Sequence, residues 1–167
     1  MSTADFKMFG VLDLAGGVRE DGGSRMPVKK SSNRKKNANR QQAREMDVQI
    51  GFLEGVIRRD PRYVEALQLL GDNYTKRGRY VEGLKVDEQL TQLDPQNPLT
   101  FYNLACSYSL TDKFEAAAEA VEKALDLGYR DFTWLTRDPD LKKLRQHAVF
   151  ERVRERIARL KGKGKSR

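Results

Sequence analysis

The sequence is poor in the residues that build covalent or metal-held frameworks. It has one cysteine, Cys106, so no disulfide can close within the chain, and one histidine, His147, so a His/Cys metal cluster is excluded as well. Long apolar runs are scarce too. The stretch near the start, Met8 to Leu12, stops at Asp13 and is too short for a membrane span or for the core of a secretory signal. A cytoplasmic protein without a membrane partner is the expectation. With 167 residues, 38% of them hydrophobic, the chain suits one domain with some unfolded extension and leaves little room for two large ones.

What is abundant is charge, and it is unevenly spread. The formal net charge is +8 and the pI near 9.6. Residues 1–45 carry a net +5, residues 46–141 a net −6, and residues 142–167 a net +9. From Arg25 to Arg44 there are eight basic residues and no acid, interleaved with Ser, Asn and Gln. Such a segment has almost nothing to bury, and with the glycine pairs 16–17 and 22–23 it predicts a disordered basic tail over residues 1–40. Phe6, Met8, Phe9, Val11, Leu12 and Leu14 form one apolar island in it. A second basic tail is expected over 161–167.

Between the tails the chain repeats itself with a period of 34. Asp60-Pro61 returns as Asp94-Pro95. At the same shift Leu67 meets Phe101, Leu70 meets Leu104, Gly71 meets Ala105, Tyr74 meets Tyr108, Tyr80 meets Phe114, Gly83 meets Ala117 and Leu93 meets Leu127. Leu67, Leu70, Gly71 and Tyr74 make one stripe of a helix. Gly78 supplies the interrupting turn. Tyr80, Leu84, Leu90 and Leu93 line a second helix, ended by Asp94-Pro95. Small residues at 71 and 83 let the two backbones approach. The prediction is an all-α protein, a short α-solenoid of helical hairpins.

These residues resemble the tetratricopeptide repeat family, with full repeats at 64–97 and 98–131 inside a helical domain over 41–160. Met46, Ile50, Leu53, Val56 and Ile57 match the second helix of a preceding half repeat at 41–61, whose first helix is lost to the basic tail. Three positions depart from the family pattern: Gly83 stands for alanine, Asp87 for a large apolar residue, and Tyr129 for the closing proline. Residues 132–160 resemble the degenerate helix pair that caps many bacterial members, with Trp134, Leu135, Leu141, Leu144 and Phe150 as the lid. Phe150, Val153, Ile157 and Leu160 continue as a final helix, with arginines on its other faces.

Chemistry is sparse. Gly162-Lys163-Gly164-Lys165 lacks the strand and the glycine of a phosphate loop, and no serine or cysteine nucleophile has a partner base. His147 reads as a cap or helix-start residue and Cys106 as a small packing residue. Asp138 and Asp140, on either side of Pro139, read as a helix start rather than a metal pair. No catalytic residue, cofactor or metal is expected.

The family resemblance implies binding on the face lined by each hairpin's first helix. In the first repeat that face would present Glu65, Gln68, Asp72, Thr75 and Lys76, and in the second Leu99, Tyr102, Cys106, Ser109 and Leu110. Asp72 disfavours a terminal carboxylate. An apolar peptide or helix with a basic flank, supplied by a protein partner, fits better. The main reading is a non-enzymatic interaction scaffold. The alternative is an RNA- or ribosome-associated factor that contacts phosphates through Lys29, Lys30, Arg34, Lys35, Lys36, Arg152, Arg156 and Arg159. A further one is salt-sensitive pairing of the tails with the acidic repeats of other copies.

Overall fold

The computed structural model describes residues 30–163, with side chains at 34 and over 36–162. The chain divides between residues 45 and 46 into two units, and the second, 46–167, carries the repeats and the cap. The helices are α1 (Lys30–Arg59), α2 (Val64–Lys76), α3 (Tyr80–Leu93), α4 (Pro98–Leu110), α5 (Phe114–Asp126), α6 (Phe132–Leu135), α7 (Lys142–Gln146) and α8 (Phe150–Lys163), with a 3-10 turn at Pro139–Leu141. No strand occurs among the described residues.

The hairpins α2–α3 and α4–α5 follow the 34-residue period. Each is closed by a residue in the left-handed region: Gly78 at φ 78° and, 34 positions on, Asp112 at φ 60°. One period earlier the same column holds Arg44, which lies within α1. A β-carbon makes that left-handed turn costly, and residues 30–42 offer no large apolar side chain to fold back with. The chain stays helical from Lys30 instead. The described helix thus begins at Lys30, within the segment 1–40 read as a basic tail. The apolar island at 6–14, Lys29 and residues 164–167 lie outside the described residues.

Two buried clusters fill the second unit. Ile50 and Leu53 of α1 pack with Ala66, Leu67, Leu70 and Tyr74 of α2 and with Val86 and Leu90 of α3. The larger cluster joins Leu84 to α4, α5 and the C-terminal segment, taking in Leu135, Leu141, Leu144, Phe150, Val153 and Ile157. Within the first hairpin the approach is close. A β-carbon on Gly71 would meet Val86 Cγ1 at 3.5 Å and Asp87 Oδ1 at 3.1 Å, and one on Gly83 would lie 3.6 Å from the Gly71 carbonyl oxygen.

Asp87, the polar departure from the repeat pattern, is buried. It accepts a 2.5 Å hydrogen bond from Ser107 Oγ of α4, which ties the first hairpin to the second. The α1–α2 junction is polar at its rim. Tyr74 donates to Glu54 at 2.7 Å, and Arg77 grips Asp47 with bonds of 2.7 and 3.1 Å.

Candidate protein-binding groove

The two halves of the expected groove have different fates. On α2, Glu65 and Lys76 are exposed, and Gln68, Asp72 and Thr75 are partly exposed. Lys76 Nζ reaches Asp72 Oδ2 at 3.2 Å, a one-turn pair on the helix surface. Leu69 beside them is also exposed. This half is therefore a solvent-facing surface with two acids, an amide, a hydroxyl and one leucine.

On α4 the equivalent columns are covered. Tyr102, Cys106 and Ser109 are buried, and only Leu99 and Leu110 stay partly exposed. The cover is the chain itself. Asp138, buried, takes a 2.7 Å hydrogen bond from Tyr102 through Oδ2 and lies 3.8 Å from Cys106 Sγ through the same oxygen. Its Oδ1 accepts from the Asp140 backbone N–H at 2.9 Å, capping the 3-10 turn. Ser109 Oγ donates to the Asp140 carbonyl at 2.8 Å. Tyr129 stacks on Tyr102, with ring centroids 4.5 Å apart and planes 13° from parallel. Arg145 holds the segment from behind by donating to the Asp138 carbonyl at 2.6 Å.

The placement of Tyr102, Cys106 and Ser109 on an open groove is thus corrected. Residues 129–141 cross α4 where a ligand was expected, and these side chains hold that segment. Tyr102 sits in the core rather than outside it. Burial, with Cys106 and Asp138 close by, raises its phenol well above the ordinary value.

Cys106, Asp138 and Asp140 bring ligating atoms within 4.8 Å of one another, a convergence that spacing alone does not reveal. Both Asp138 oxygens are already engaged by Tyr102, Cys106 and the Asp140 N–H, so the cluster works as a latch for the cap.

The candidate phosphate contacts of the last helix are also engaged. Arg152 pairs with Glu122 at 3.2 Å and approaches Glu119 at 3.9 Å. Arg156 pairs with Asp126, and Arg159 with Glu155 at 3.2 Å. Three of these acids lie on α5, so the basic end of the chain neutralises the acidic repeat it caps. Arg34 and Lys36 are exposed on α1, whose described backbone also includes Lys30 and Lys35.

Helical hairpins with a 34-residue period, closed by a helical cap, define a short helical-repeat protein. No family model matches the chain. A chloroplastic protein of Arabidopsis thaliana is 36% identical over 84 residues, covering 48% of this chain and 25% of that protein. The peroxisomal targeting signal receptor of Komagataella phaffii is 32% identical over 91 residues, covering 53% and 16%. A TPR repeat-containing protein of Picosynechococcus is 35% identical over 68 residues, covering 41% and 18%. The chain thus spans a quarter or less of the length of these curated relatives. Among solved structures, MamA from Desulfovibrio magneticus RS-1 matches with a TM-score of 0.50 at 22% identity, over 73% of this chain and 70% of that one. That likeness is one of fold. Over the stretch it shares with them, the chain is similar to tetratricopeptide-repeat proteins, and its hairpins have the fold of that repeat.

Among the described residues no helix is long and apolar enough to cross a membrane.

Proposed function

We propose that the protein is a non-enzymatic interaction scaffold that holds a peptide or helix of a protein partner against α2. The observation that carries this reading is the contrast between the two repeats. The α4 face is closed by the chain's own residues 129–141, while Glu65, Gln68, Leu69, Asp72, Thr75 and Lys76 of α2 stay partly or fully exposed. Repeat arrays bind through such faces. Two carboxylates beside Leu69, with partly exposed Leu99 and Leu110 on α4, suit an apolar segment with a basic flank. The names of the relatives point the same way: one is a targeting signal receptor and one a TPR repeat-containing protein.

The test is affinity capture with the tagged full chain at moderate salt, after nuclease treatment, set beside a Glu65→Lys/Asp72→Lys variant. Both positions are on the surface, so the variant folds, which circular dichroism checks. Proteins captured by the native chain and lost from the variant identify the partner. Equal recovery by both chains sinks the groove reading, and capture abolished by nuclease turns the assignment to RNA.

A further inference from the structure

In each hairpin the second helix is covered by the first helix of its own repeat, and α1 is a second helix that has no such cover among the described residues. One column shows this directly. Val86 packs against Gly71 of α2 and is 8% exposed, and its counterpart Ala120 is 6% exposed. The residue one period earlier is Phe52, at 71%. Val48, one turn before it, is 72% exposed. Gly51 and Gly55 lie on the same side of the helix, and no other side chain closes over Gly51 within 4 Å of where a β-carbon would stand. Glycine in an exposed helix is costlier than alanine, because it gives up more backbone freedom on ordering. Two large apolar side chains held in water beside the glycines add to that cost. The combination suits a second helix approaching closely.

We infer that this face is closed by α1 of a second copy of the chain, packed antiparallel about a two-fold axis through Phe52. The charges along α1 select this occupant. A two-fold pairing that sets Phe52 against itself brings Val48 opposite Val56 of the other copy. It also places Glu45 opposite Arg59, the last residue of α1. Each carboxylate therefore meets a guanidinium, and every contact occurs twice, as an isologous interface requires. Helical periodicity keeps Glu45, Val48, Phe52, Val56 and Arg59 on one side of α1. Phe52 of each copy then fills the notch left by the other's Gly51 and Gly55. The antiparallel sense is also that of the hairpins, where Gly71 opposes Val86 and Tyr74 opposes Gly83. The second copy supplies the helix that the first repeat lacks among the described residues, on a surface apart from Glu65 and Asp72.

Sedimentation equilibrium of the full chain over a concentration series tests this. The expected result is a mass rising from 19.1 kDa towards twice that value with concentration. Phe52→Glu should abolish the rise. Glu45→Arg and Arg59→Glu should each weaken association at least tenfold, and the two together should restore it. In a Phe52→Cys chain, diamide as oxidant should link two copies through residue 52, since the native Cys106 is buried. Several results overturn the inference: a monomer at every concentration, association indifferent to Phe52→Glu, or a charge swap that fails to restore it. Slow alkylation of the introduced thiol in a monomeric Phe52→Cys chain does so too, because another segment of the same chain then covers the face.

Discussion

The hydroxyl of Tyr102 donates a 2.7 Å hydrogen bond to Oδ2 of Asp138, thirty-six residues away, and both side chains are buried. Tyr102 belongs to the repeat and Asp138 to the cap, so this bond joins the two. Asp138→Ala leaves the Tyr102 hydroxyl and the Asp140 N–H without an acceptor. The expected loss is about 2–3 kcal/mol in urea unfolding, as for other buried bonds to a charged group. Tyr102→Phe should lose less and still leave Asp138 capped to Asp140. In Asp138→Ala the Cys106 thiol should react with an alkylating reagent well before global unfolding, because the covering segment has lost its latch. An unreactive thiol in that variant would remove the latch from the account.

The turn residues give a pair of opposite outcomes at equivalent positions. Gly78→Ala puts a β-carbon into the left-handed region and should destabilise the chain by about 1–2 kcal/mol. Asp112→Gly relieves the same strain one repeat later. It also gives up the exposed pair with Lys143, which contributes little. A higher melting temperature for Asp112→Gly and a lower one for Gly78→Ala is the expected pattern.

The buried bond between the hairpins is a third point of test. Ser107→Ala deprives the buried Asp87 carboxylate of its 2.5 Å donor and should cost about 1–3 kcal/mol in urea unfolding. Gly71→Ala should also destabilise, since its β-carbon would stand 3.1 Å from Asp87 Oδ1.

Stability should fall in alkali. Burial, and then the hydrogen bond to Glu54, pushes the Tyr74 phenol up to about 12; burial likewise raises Tyr102 and Tyr129. In the unfolded chain a tyrosine ionises near pH 10. The folded chain holds its protons longer, so the stabilisation is complete below pH 10 and is lost as pH rises beyond it, through about 12 for Tyr74. Denaturation midpoints from about pH 9 to about pH 11.5 should show the decline. A Tyr74→Phe/Tyr102→Phe chain should decline less steeply, and an unchanged slope would assign the alkaline loss elsewhere.

Much of the scaffold was legible in the residues. The columns Leu67/Phe101, Leu70/Leu104 and Tyr74/Tyr108 repeat at one interval and specify two hairpins, since helix spacing and turn chemistry act over short stretches of chain. Exposure on α2 was legible too: the residues named there are partly or fully exposed, as their helix columns imply. The α4 half was not. Tyr102, Cys106 and Ser109 occupy surface columns of their helix, and only the path of residues 129–141 buries them. A hint existed in the departure at Tyr129, which stacks on Tyr102.

By itself the sequence determined the helices, the period and the acidic body between basic ends, because propensity, hydrophobic spacing and charge are local properties of the chain. Tertiary structure alone decided which surfaces stay open. It put the cap across α4, and it set Arg152 and Arg156 on the carboxylates of α5. It also left Phe52 exposed, with no covering helix among the described residues. Each of these depends on contacts between residues distant along the chain, and no repeat column encodes where a neighbour across space will lie.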